Sequence, residues 1–145
     1  MIPDVETALT VSFQVKLDDQ DLGEFYSCEG LGCEVVMETR DEGGNNGFTW
    51  QLPTKLKFSN IRLTRPLGKD TEKVAQWFAS MQTGYQRRTA TIVAMRADGK
   101  PIATWGLLDV VPVRWSGPSL SADQSKVVTE TVEIAHHGFI GNGGA

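Results

Sequence analysis

The residues in this chain whose types lend themselves to chemistry are His136 and His137, Cys28 and Cys33, and the acidic pairs Asp18-Asp19 and Asp41-Glu42. Two imidazoles could hold a metal or relay a proton, but neighbours on an extended chain point to opposite faces, so this pair cannot readily share an ion. His136 is expected to be a structural imidazole at a strand end. Cys28 and Cys33 bracket Glu29-Gly30-Leu31-Gly32, a turn-like run that would permit a bridge. The spacing is not Cys-x-x-Cys, however, and no second pair exists to complete a zinc site. Two half-buried strand thiols are the expectation in a reducing cytoplasm. Both acidic pairs lie in polar turns, where solvent keeps carboxylates ordinary rather than poised for acid and base work.

Three further segments imitate catalytic motifs and fail on order. Ser116-Gly117-Pro118-Ser119 has the residue types of a nucleophile elbow in the wrong sequence. Gly68-Lys69-Asp70 places a carboxylate where a phosphate loop needs a hydroxyl. Gly43-Gly44-Asn45-Asn46-Gly47 is glycine-rich, but no helix follows to receive a dinucleotide. We therefore expect no catalytic residue, no metal and no cofactor.

The chemistry is sparse because the composition is: 15 Gly and 6 Pro stand against 2 Cys and 2 His in 145 residues, a balance that favours short strands and turns. That length suits a single domain, expected over 1–145. A net charge of -4 provides no overall footprint for nucleic acid, and the one arginine doublet, Arg87-Arg88, reads as a solvated strand entrance. The first residues lack the basic and apolar regions of a secretory signal, and no run is long and apolar enough to span a bilayer. Synthesis in the cytoplasm without stable membrane insertion is expected.

Apolar residues alternate with polar ones from Leu9 to Leu17, which predicts a strand with one buried face. Further strands are expected over 22–28, 33–39, 55–65 with a bulge near Ser59-Asn60, 89–96, 102–111 and 126–135. Asp98-Gly99 predicts a tight primed hairpin turn, and Pro112 an interruption of central pairing, with 113–115 extended beyond it. Val74, Trp77, Phe78 and Met81 recur at helical spacing, with Asp70 as side-chain N-cap, Glu72 in the first turn and Gly84 as a left-handed C-terminal residue. Glu130 shares a face with Val128, Val132 and Ile134, so its carboxylate must find a partner or lie near an edge or interface. Residues 40–48 are too polar and glycine-rich for a core and are expected to project as a loop or hairpin tip. The glycine-rich tail, 138–145, is expected to order only against something else. The fold class is α+β, mainly antiparallel: about seven strands forming a β-sandwich or open barrel with one packed helix.

The order of motifs along the chain carries a resemblance. Gly30-Leu31, Glu34-Val35, the loop from Arg40, Leu52-Pro53 and Phe58-Ser59-Asn60-Ile61-Arg62-Leu63-Thr64-Arg65 are followed by Trp77, Arg87-Arg88, Asp98-Gly99-Lys100-Pro101 and Trp105. Pro112-Val113-Arg114-Trp115, Gly117-Pro118-Ser119-Leu120 and residues 130–136 complete the series. In this order the chain resembles the tail tube proteins of contractile phages, including the inner tube proteins of extracellular contractile injection systems and, more distantly, the type VI secretion tube protein. The resemblance implies a structural subunit that forms hexameric rings stacked into a hollow tube. Its implied partners are further copies of itself, a surrounding sheath, baseplate and tube-terminator proteins, and DNA or protein cargo in the lumen. Polar strand faces would line that lumen. Arg40, Asp41, Glu42, Gly43, Gly44, Asn45, Asn46, Gly47 and Phe48 are then candidates for contact between rings. A non-polymerising baseplate adaptor or tube initiator of the same fold is the alternative.

Overall fold

The computed structural model describes residues 12–18, 20–41, 49–84, 86–117 and 128–140. Within them the chain forms β1 (Ser12–Leu17), β2 (Gln20–Phe25), β3 (Ser27–Glu29), β4 (Cys33–Asp41), β5 (Thr49–Phe58) and β6 (Ile61–Pro66). Helix α1 (Thr71–Ser80), β7 (Arg88–Met95), β8 (Pro101–Ser116) and β9 (Thr129–Ala135) follow. Seven strands make one antiparallel sheet in the order β2-β1-β7-β8-β9-β6-β3, while β4 and β5 pair only with each other. The strands outnumber the expected seven because two expected strands each divide. Residues 22–28 split at Tyr26, and 55–65 split at Ser59-Asn60, where a bulge was expected.

Tyr26 explains the shape of the sheet. It is the single residue between β2 and β3, the two opposite edge strands, and its N–H donates to the Thr64 carbonyl at 3.0 Å. One residue spans only a few ångströms, so the sheet must curl until its edges meet, giving an open barrel. Alternate side chains fill the interior: Val15 and Leu17, Leu22 and Phe25, Ile61 and Leu63, Ile92, Leu107, Val110, Val132 and Ile134 are all buried. Helix α1 adds Val74 and Trp77 to this core, with Phe78 set edge-on to Trp77 at 6.0 Å between ring centres.

Both helix ends depart from the sequence reading. Asp70 is the N-cap residue, yet its side chain makes no capping bond; it pairs with Lys73 Nζ at 3.2 Å instead. At the other end, Met81, Gln82 and Thr83 donate to carbonyls three residues back, so a tightened last turn closes the helix and Gly84 lies beyond it. The Asp98-Gly99 hairpin also differs. Arg96 and Lys100 flank a three-residue loop in which only Gly99, with φ of 84°, takes the left-handed conformation. Pro112 bends β8 without ending it. The register against β9 shifts between Pro112 and Arg114, and pairing with β7 has already stopped at Val110, so the missing amide proton breaks no ladder on that side.

Glu130 finds its partners inside the protein. Its carboxylate, wholly buried, accepts from Arg65 Nε at 3.3 Å, Trp115 Nε1 at 2.9 Å and the Thr71 hydroxyl. Arg65 in turn donates to the Leu22 carbonyl at 2.5 Å and the Asp70 carbonyl at 3.0 Å, and lies over the Phe25 ring. One ion pair thus ties β2, β6, β8, β9 and the start of α1 together.

The division at Ser59-Asn60 is enforced by Gly30. With φ of 96°, Gly30 lies so close to the Asn60 carbonyl that a Cβ there would overlap its oxygen. We expect Gly30→Ala to destabilise the fold by about 2–3 kcal/mol, of which roughly 1–2 kcal/mol is left-handed strain and the rest backbone displacement. Urea denaturation of the variant checks this, and a change below about 0.5 kcal/mol would contradict the tight approach.

Candidate functional site

The most exposed ordered element is the hairpin of β4 and β5. Every residue of β5 except Phe58 is exposed, as is β4 from Cys33 to Arg40 apart from Val36. Among the described residues, β4 and β5 pair with no other strand. Cross-strand partners on one face are Cys33 with Phe58, Val35 with Leu56, and Met37 with Pro53. Val35, Met37 and Leu56 are 44%, 49% and 54% exposed, so they form an uncovered apolar strip. The other face sets Glu34 opposite Lys57, Val36 opposite Lys55, Glu38 opposite Leu52 and Arg40 opposite Trp50. A bulge at Thr54, whose hydroxyl donates to the Val36 carbonyl at 2.7 Å, twists the hairpin between these two halves.

The root of the hairpin is anchored to the rest of the subunit. Phe58 packs against the rings of His136 at 5.4 Å and Phe139 at 5.8 Å, and the Gly30–Asn60 approach fixes the neighbouring chain. Of the expected loop, Arg40 and Asp41 are strand residues, opposite Trp50 and Thr49. Glu42, Gly43, Gly44, Asn45, Asn46, Gly47 and Phe48 lie outside the described residues. Cys33, Val35 and Met37 alternate with Glu34 and Glu38 as a strand with one buried face would, and nothing local signals that no described layer covers this face.

Elsewhere the candidate chemistry is quiet. Cys28 is half-buried in β3, and burial, reinforced by the Glu29 charge, pushes its thiol up to about 11, so it stays protonated and a poor nucleophile near neutrality. Cys33 is exposed rather than half-buried, since it opens β4; both cysteines are free. His136 is buried and His137 exposed, on opposite sides of the chain as expected, and His137 Nδ1 lies 2.9 Å from the Asp109 carbonyl. Glu133 accepts from the Asn60 amide at 2.8 Å, which holds its carboxyl below the usual range, with Arg62 at 3.5 Å and Arg114 assisting. Among the described residues no group of three His, Cys, Asp or Glu could hold a metal ion, and no helix is long and apolar enough to cross a membrane.

The fold aligns with those of several solved structures. A chain of the PVC sheath-tube complex of an extracellular contractile injection system, in its extended state, aligns with a TM-score of 0.77 at 20% identity, covering 94% of this chain and 92% of that one. A chain of the tube terminating cap of the anti-feeding prophage aligns at 0.74 and 20% identity, over 92% and 89%. Hcp1 from Salmonella typhimurium aligns at 0.57 and 16% identity, over 88% and 83%. At these identities the likeness is one of fold. No curated protein matches the sequence. The model of the T4-like virus tail tube protein gp19 family matches residues 9–140, the span that carries the sheet, the helix and the hairpin, and the chain belongs to that family.

Proposed function

We propose that this chain is the repeating subunit of the hollow inner tube of a contractile phage tail or contractile injection system, assembling as hexameric rings that stack. The observation that carries the reading is the β4–β5 hairpin: about twenty residues of ordered strand with an apolar strip that a lone subunit leaves in water. A closed ring supplies identical neighbours to cover such a surface, and stacked rings repeat the same contact along the tube. Residues 40–48, at the far end of the hairpin from its anchored root, are the segment that meets the next ring. The role is structural rather than enzymatic, as the tail tube family is.

The polar outer face of the curled sheet suits a lumen. Thr64 and Thr131 face each other across β6 and β9, and Arg62 is neutralised by Glu133, so cargo meets hydroxyls and paired charges. The sheath surrounds the tube, the baseplate and terminator cap its ends, and the finished particle acts outside the cell that made it. DNA or effector protein is the cargo.

Negative-stain microscopy of the purified protein, alone and with a sheath or baseplate nucleator, should reveal rings or hollow tubes. Deleting residues 43–47 should leave the fold intact and shorten or abolish the stacks. Persistent monomers with both nucleators would instead fit the non-polymerising adaptor, and unchanged tube length in the deletion would remove residues 40–48 from the contact.

A further inference from the structure

The tail was expected to order only against another molecule, yet its first residues dock on their own subunit. Past β9 the chain kinks at His136 and then resumes the ladder along β8. The His137 N–H donates to the Leu108 carbonyl, the Leu108 N–H to the Gly138 carbonyl, and the Ile140 N–H to the Gly106 carbonyl, each at 2.8 Å. The kink turns the His136 ring inward, between Phe139 at 5.1 Å and Phe58 at the hairpin root. The Gly138 N–H donates to His136 Nδ1 at 3.2 Å, which requires that nitrogen to be unprotonated and puts the ring proton on Nε2. Nε2 is buried and has no hydrogen-bond partner among the described residues.

We propose that His136 is an acid-released latch that holds the segment 137–140 and the hairpin root against the barrel. Protonation from solvent places a second N–H on the ring, directed at the Gly138 N–H that formerly donated to it. The Gly138 carbonyl lies 3.4 Å from Nδ1 and also accepts from the Leu108 N–H, so any bond it takes from the new ring N–H is long and shared. Among the described residues the new charge sits between two aromatic rings, and no carboxylate acts on it. Phe58 from β5 and Phe139 from the tail bring only apolar faces, and Asp109 on β8 is directed to Arg87 at 3.6 Å. The remaining ionisable neighbour acting on the ring is His137, whose own charge opposes a second one.

Burial holds the imidazole below the ordinary histidine value, against the smaller upward pull of the Gly138 backbone. The sign follows: neutral His136 is favoured by the docked state, so docking is fully stable above about pH 6.5 and weakens as pH falls through and below that value. Leucine or phenylalanine in its place would pack without titrating.

Hydrogen exchange of the full chain, corrected for the intrinsic pH dependence of exchange, reads the latch directly. Between about pH 7 and pH 5 the amides of Leu108 and Ile140 should lose protection roughly tenfold, while core amides such as that of Ile92 lose much less. His136→Phe should abolish that step and His137→Asn should retain it. An equal step in His136→Phe, or none in the unmodified protein, overturns the proposal. Should His136→Phe fail to fold, titration of the His136 ring by NMR in His137→Asn decides the matter. A ring that titrates at or above the ordinary value overturns the latch, and a depressed midpoint that coincides with loss of Leu108 protection supports it.

Discussion

Replacing Glu130 with leucine is expected to destabilise the subunit by about 3–5 kcal/mol, a large share of the roughly 5–15 kcal/mol that holds a domain of this size together. Leucine fits the volume, so the loss comes from what is left behind. Arg65, only 4% exposed, would keep its charge in the core with no counter-ion, and the Trp115 indole and Thr71 hydroxyl would lose their acceptor. The guanidinium cannot withdraw to water, because it also holds the Leu22 and Asp70 carbonyls and lies 4.2 Å from the centre of the Phe25 ring. Gly23 presses on the same group: a Cβ there would overlap Asp70 and approach Arg65 Nη1 at 2.9 Å.

The double variant Arg65→Met/Glu130→Leu should recover most of the loss, since an apolar pair carries neither the desolvation cost nor an orphaned charge. Urea denaturation, run dilute enough that assembly does not add to stability, measures both. The thermal midpoint of the single variant should fall by about 10 °C. A loss below about 1 kcal/mol for Glu130→Leu would mean the ion pair is not what joins these elements.

Met37→Glu and Leu56→Glu should each raise the concentration needed for tube assembly by about a hundredfold or more, while changing subunit stability by no more than about 0.5 kcal/mol. Both side chains are about half exposed in the single subunit, so a charge there meets water and little else. In the proposed tube a neighbouring copy covers the same positions. Covering the exposed half of each apolar side chain then contributes about 1–1.5 kcal/mol, and a carboxylate in its place adds a further desolvation cost. Sedimentation and electron microscopy across a concentration series, paired with denaturation of the unassembled variants, separate the two effects. Normal assembly by both variants would show that this strip faces solvent in the tube. Loss of stability along with assembly would instead mean that the hairpin folds back on its own barrel.

The strip escaped sequence reading for a physical reason. Alternation of Val35 and Met37 with Glu34 and Glu38 reports that one face of a strand avoids water, and it is silent on whether the covering layer belongs to the same chain. Of the polar run at 40–48, Arg40 and Asp41 close β4, and the rest lies outside the described residues. Glu130 is the converse case. Its place among Val128, Val132 and Ile134 required a partner, yet Arg65 and Trp115 lie 65 and 15 residues away and are brought to it only by the pairing of β6 and β8 with β9.

Local periodicity was therefore enough to identify one helix, most of the strands and the antiparallel α+β class, since each depends on neighbours a few residues apart. The order of short motifs was enough to suggest the tail tube family. Tertiary structure decided the rest. Residues 55–65 read as a single strand with a bulge, but Phe58 pairs with Cys33 in the hairpin while Ile61 pairs with Ile134 in the barrel, so one apparent strand serves two sheets. Tyr26 likewise looks like the middle of a strand, and becomes the corner that joins the two edges of a curled sheet. Glycine at 30 supplies a turn in the sequence, whereas its lack of a side chain is needed by Asn60, thirty positions along. Hydrogen bonds between distant strands set these outcomes, and no window of adjacent residues contains them.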